Sequence, residues 1–103
     1  MKVLNNDDFN TTIEKGTVLV DFFADWCGPC KMLGPVLEKV SADYEGKMGF
    51  AKVNVDDCPE LAQKYGVMSI PNVIIFKDGV QKDQMIGFAG EGAVKEFIER
   101  NLD

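Results

Sequence analysis

The sequence predicts an α/β domain with a mixed central sheet of about five strands and about four helices covering both of its faces. Three observations carry that expectation. The runs Val18-Leu19-Val20-Asp21-Phe22-Phe23-Ala24 and Val73-Ile74-Ile75-Phe76 are apolar on both sides, as strands at the centre of a sheet are. Between them, Leu33, Val36, Leu37, Val40 and Tyr44 recur at helical spacing. Asp78-Gly79 then separates two strand-like runs, the signature of a tight hairpin.

Each element has its own local cause. Val3 and Leu4 suggest a short first strand. Asn6 or Asp7 can cap a helix in which Phe9 and Ile13 share a face, with Gly16 ending it. The helix from Cys30 to Tyr44 contains Gly34-Pro35; the proline removes one intrahelical bond and kinks the helix, because the apolar period continues past it. Residues 50–55 alternate, with Ala51, Val53 and Val55 on one face and Phe50, Lys52 and Asn54 on the other. Pro59 suits the first turn of a short helix closing at Gly66. Lys82, Asp83 and Gln84 mark residues 80–86 as a charged edge strand. Val94, Phe97, Ile98 and Leu102 stripe a final helix. The order β-α-β-α-β-α-β-β-α requires parallel crossovers in the first half, and the hairpin adds an antiparallel edge.

The 103 residues suffice for a single domain spanning 1–103, and a hydrophobic fraction of 46% supports a core without staples. Seventeen acidic residues against 11 basic give a net charge of −6, which argues against a nucleic-acid partner. The absence of histidine removes Ser-His-Asp and Cys-His catalysis and His-ligated metals. Three cysteines are one short of an all-thiolate zinc site and a poor disulfide framework, so neither a metal nor a bound cofactor is expected. The chain opens on no basic segment followed by an apolar run, and no stretch approaches membrane-spanning length. The expectation is a cytoplasmic protein with no membrane partner, and nothing demands more than a monomer.

The chemistry concentrates in Trp26-Cys27-Gly28-Pro29-Cys30. Two thiols three positions apart, between a strand and a helix, can close into a small disulfide ring and reopen, which points to a redox centre. At the helix start, unpaired N–H groups and the macrodipole favour a Cys27 thiolate, making it the attacking nucleophile. Cys30, one turn in and shielded, would resolve the mixed disulfide. Gly28 and Pro29 allow the tight turn, and Pro29 supplies helical φ. Asp21, inside the apolar strand, has two readings of equal weight: a buried acid with a raised pKa that exchanges a proton with Cys30, directly or through water, or a carboxylate that is merely satisfied in the structure or exposed at the strand end. Lys52 on the neighbouring strand could pair with it, although lysines in alternating strands mostly face solvent. Ile70-Pro71 precedes a strand, and the scarcity of cis X-Pro bonds, about 5–6%, favours trans. Trp26 lies in a loop, which places it at the surface. Cys58, before Pro59, is either an inert small hydrophobe or a thiol activated at a helix start for regulation or dimerisation.

Taken together, Val20-Asp21-Phe22, Trp26-Cys27-Gly28-Pro29-Cys30-Lys31, Pro35, Ala51-Lys52-Val53-Asn54-Val55-Asp56, Tyr65-Gly66-Val67, Ile70-Pro71 and Phe76-Lys77-Asp78-Gly79 resemble the thioredoxin family along essentially the whole chain. The resemblance implies the thioredoxin fold and general protein-disulfide reductase activity on disulfide-containing proteins, with regeneration by a thioredoxin reductase drawing on NADPH or reduced ferredoxin. It makes Cys27 the nucleophile, Cys30 the resolving thiol, and Asp21 the buried acid partnered by Lys52. It makes Pro71 a cis proline whose neighbour Ile70 offers its backbone to an extended substrate. Trp26, Val55, Ile70 and Gly87, with Gly28 and Pro29, form the docking rim. Within redox chemistry an oxidase or isomerase is the alternative, and outside it a non-catalytic binding subunit on the same fold; Gly28-Pro29 favours the reductase. Three positions depart from the family pattern: Phe23 where a tryptophan is common, Met68-Ser69 where a polar pair is common, and Phe88 where alanine is common. They bear on packing and partner choice.

Overall fold

The computed structural model describes residues 1–102. Its elements are β1 (Lys2–Val3), α1 (Phe9–Ile13), β2 (Thr17–Phe23), α2 (Gly28–Ser41), β3 (Gly49–Asn54), α3 (Pro59–Lys64), β4 (Asn72–Lys77), β5 (Val80–Ile86) and α4 (Glu91–Glu99). A 3₁₀ turn, Ala42–Tyr44, extends α2. The five strands form one sheet in the order β1-β3-β2-β4-β5.

β3 runs parallel to both β1 and β2, as the crossover rule requires, with Asp21 opposite Lys52 in the β2–β3 register. The antiparallel part begins one strand before the hairpin: β4 is already antiparallel to β2, with Val73 opposite Asp21, and β5 then returns along β4. β2 therefore has a neighbour on each edge. The β4–β5 turn places Asp78 and Gly79 at φ 50° and 85°, the positive pair that a tight hairpin needs.

Strand alternation sorts the core into two layers. Val18, Val20 and Phe22 of β2, with Ala51, Val53, Ile74 and Phe76, face α1 and α3. There Phe9, Tyr65 and Phe76 pack edge-on and tilted, at centroid separations of 5.1–5.8 Å. Leu19, Val73 and Ile75 face the other way, against Leu33, Leu37 and Val40 of α2 and Val94, Phe97 and Ile98 of α4. Asp21 and Phe23, two and four residues beyond Leu19, fall on this second face.

Three local expectations differ from what forms. α1 is introduced by neither an Asn6 nor an Asp7 cap; the Asn5 carboxamide oxygen accepts the amides of Asp7 and Asp8, while Asp8 accepts the Asn5 amide. α2 starts at Gly28, two residues earlier than periodicity alone indicates, because Gly28 and Pro29 lack the apolar side chains that mark a helical face. Gly28 itself sits in the first helical turn without a positive φ, and a Cβ there would meet nothing within 4 Å. The turn does not depend on glycine at that position.

Candidate active site

β2 ends at Phe23, and Ala24-Asp25-Trp26 carries the chain over the top of the sheet into α2. Cys27 is the residue that caps the helix: its backbone is extended (φ −86°, ψ 111°), and its Sγ accepts the Cys30 amide N–H at 3.3 Å. α2 has no acidic side chain in its first turn, so the partial positive charge of its N-terminus is left for the sulfur. Cys27 and Cys30 are joined as a disulfide, their Cα atoms 5.2 Å apart.

The two cysteines are almost equally covered, at 4% and 5% exposure, so shielding does not separate them in the oxidised state. Position does. Cys27 Sγ lies 3.8 Å from the Ile70 carbonyl oxygen, a contact that becomes a hydrogen bond only when the sulfur carries a proton. Cys30, one turn into α2, lines a groove of about 780 Å³ on the other side, together with Phe23, Lys31, Pro35 and Lys52. Both cysteines pack with Ala24, and Val55 and Ile70 lean against them from β3's exit and the loop before β4.

The Ile70–Pro71 bond is cis, against the expectation from bond frequencies and in line with the family resemblance. The Pro71 carbonyl accepts the Gly87 amide at 2.8 Å, and Gly87 holds φ 84°, so the loop after β5 is fixed beside the proline by a residue without a Cβ. Trp26 is 69% exposed, and its indole Nε1 donates to Asp56 Oδ2 at 2.9 Å. Asp56 closes the Ala51–Asp56 segment that carries the family resemblance, and its pairing with Trp26 depends on β3 ending next to the Cys27 loop. The structure thus brings Trp26, Val55, Ile70, Pro71 and the cysteine pair together at one end of the sheet, with Gly87 tied to Pro71.

Asp21 lies below this surface, 2% exposed on β2, and its Oδ1 meets no hydrogen-bond donor among the described residues. Loss of water pushes its carboxyl from 3.8 up to about 7, and the nearby Lys52 charge opposes that rise without cancelling it. Lys52 makes no contact ion pair with Asp21; its Nζ sits over the Phe23 ring, 5.1 Å from the centroid. Burial at this depth sets aside a surface position for Asp21 at the strand end.

Cys58 is 2% exposed, and burial, with Asp57 and Glu60 nearby, raises its thiol pKa. Its place before the six-residue α3 does not lower that pKa, which agrees with the small-hydrophobe reading of Cys58 and not with the activated-thiol one. Among the described residues no group of side chains is arranged to hold a metal ion, and no helix is long and apolar enough to cross a membrane.

Comparison with known proteins agrees with this geometry. The thioredoxin family model matches residues 1–100. The chain belongs to the thioredoxin family. Thioredoxins of Staphylococcus aureus strains Mu50 / ATCC 700699, MW2 and N315 are each 50% identical to it over 95 residues, 92% of this chain and 91% of theirs. A thioredoxin with a Cys27–Cys30 disulfide is a protein-disulfide oxidoreductase, and the pair is its redox-active dithiol/disulfide.

Proposed function

We propose that this thioredoxin is a general reductant of protein disulfides in the cytoplasm, acting as a monomeric single domain. The observation that carries the reading is the Cys27 sulfur capping α2, where the Cys30 amide at 3.3 Å and the helix terminus stabilise negative charge. In the dithiol state the Cys27 thiolate attacks one sulfur of a client disulfide. A Cys27–client disulfide forms, and the other client sulfur leaves as a thiolate. Cys30 loses its proton and attacks Cys27 Sγ, which releases the second client sulfur and closes the Cys27–Cys30 disulfide. The client gains two electrons and the pair loses them.

Asp21 is the group proposed to take the Cys30 proton. A carboxyl poised near neutrality can accept and return a proton at working pH, where an ordinary aspartate is too weak a base. Lys52 supplies the charge that keeps the carboxylate within reach. Trp26, Gly28, Pro29, Val55, Ile70, Pro71 and Gly87 are the proposed docking rim. Two electrons then come back from a reductase of the thioredoxin reductase kind. Neither step requires a bound cofactor or metal.

The deciding experiment is the reduction potential of the Cys27–Cys30 pair against a defined thiol buffer. A reductase poises near about −270 mV, an isomerase near about −180 mV, and a strong oxidant near about −120 mV. A value at the low end is expected. A value at the high end would assign the oxidase or isomerase activity, and a pair that does not titrate would leave only a binding role.

A further inference from the structure

Phe23 stands two residues after Asp21 on β2, and Lys52 stands opposite Asp21 on β3, so all three side chains leave the sheet on the face covered by α2. Lys52 could reach either of two partners. One is the Asp21 carboxylate, whose Oδ1 is unpartnered among the described residues. The other is the ring of Phe23, on the wall of the groove that also holds Cys30. The ammonium is on the ring, 5.1 Å from its centroid.

The choice has a physical basis. An ammonium moved onto a carboxylate that is 2% exposed must shed its water, and that desolvation offsets much of what the pair returns, so the pair forms only when no better-hydrated partner competes. Over an aromatic face at the groove it keeps part of its hydration and still gains the quadrupole attraction. We propose that Phe23 is a positioning residue for Lys52: its ring face holds the ammonium over the groove and out of contact with the Asp21 carboxylate. The charge then acts on Asp21 from a fixed distance. It tempers the cost of ionisation without locking the acid into an ion pair that could no longer take up a proton. A tryptophan, with the stronger ring quadrupole, would serve the same purpose at this position.

Lys52 is the charged group facing Asp21 across the sheet, and its neighbour on β4, Val73, is apolar. Asp25, Lys31 and Glu38 are the other charged groups on the groove, and Glu38 is engaged by the Met1 amino group. Cys27 and Cys30 titrate only in the dithiol, so the test uses the disulfide form.

The inference rests on the reading of Asp21 as the proton-handling group, yet the two can fail separately. A ¹³C-carboxyl titration of Asp21 measures the tether, and turnover of Asp21→Asn measures the role. Phe23→Leu is expected to let the ammonium reach Oδ1 and lower the Asp21 titration midpoint by about one pH unit. Phe23→Trp should leave the midpoint where it is, and Phe23→Leu in a Lys52→Met background should produce no shift relative to Lys52→Met alone. An unmoved or raised midpoint in Phe23→Leu overturns the proposal. So does a fall that persists without Lys52, because water admitted by the smaller side chain would then be the cause. The unsubstituted protein offers an independent check: the Lys52 ε-methylene protons, lying over the ring, should resonate upfield of a free lysine. Unshifted protons would also sink the idea, whether or not the variants fold.

Discussion

Replacing Asp21 with Asn should stabilise the oxidised protein, and by more as the pH rises. Burial raises this carboxyl from 3.8 to about 7, so the folded state holds the proton more tightly than the unfolded chain does. A raised acid favours the fold fully below pH 3.8, and the advantage drains away as pH climbs to about 7, where the ionised group is a buried charge that Lys52 compensates only in part. About three pH units at 1.36 kcal/mol each correspond to about 4 kcal/mol at and above neutrality. The same linkage gives about 2 kcal/mol at pH 5 and less than about 1 at pH 4. Asparagine keeps the shape and cannot ionise, so the difference between the two proteins isolates this group. Urea unfolding of both disulfide forms at pH 4, 5 and 8 reads it directly, with a gap that widens by about 3–4 kcal/mol across the series. A gap that stays constant, or a variant less stable at pH 8, would refute the argument that desolvation dominates at Asp21.

The remaining expectations concern the thiols and the far edge of the sheet. Cys27→Ser should abolish turnover, whereas Cys30→Ser should accumulate mixed disulfides visible by intact mass; normal turnover in the latter would remove the resolving role. Cys58 should resist a maleimide or mild peroxide in the native protein and react only once the chain is unfolded, since it lies at 2% exposure with a raised pKa. Asp83 accepts Arg100 Nε and Nη2 at 2.9 and 3.3 Å and Asn101 Nδ2 at 2.8 Å, which holds its carboxyl down at about 2. A depressed acid stabilises above its ordinary 3.8 and ceases to as pH falls through about 2, so Asp83→Asn should cost on the order of 1 kcal/mol at pH 7 and almost nothing at pH 2. Thermal unfolding at the two pH values checks both the size and the sign.

What could be read from the residues alone follows from periodicity and short-range chemistry. Alternation in Phe50 to Val55 assigned Ala51 and Val53 to one face and Lys52 to the other, and both layers of the core are built that way. The Asp78-Gly79 turn and the charged edge at Lys82 to Gln84 follow equally local rules. Features joining distant segments left no such trace. The Trp26–Asp56 bond spans 30 residues, and the cis Ile70–Pro71 bond is one that frequencies argue against. That β4 opposes β2 is set by the chain path between α3 and β4, which no periodic pattern encodes. At the site itself, the Cys27–Cys30 pair was legible from spacing, and the burial of Asp21 from its place in an apolar run. Phe23 was not legible as a partner of Lys52, because an aromatic residue in a buried strand already has a sufficient explanation in packing.

β2 is paired along both edges and covered on both faces, and the redox loop grows directly from its end. Strands in that situation are the last to lose their amide protons to solvent, while α1, of five residues, and the two-residue β1 belong to the parts that open first. The reactive sulfurs are therefore anchored to the segment with the slowest local opening. Fraying at the periphery can come and go, on timescales far shorter than global unfolding, without dismantling the geometry that exchanges electrons.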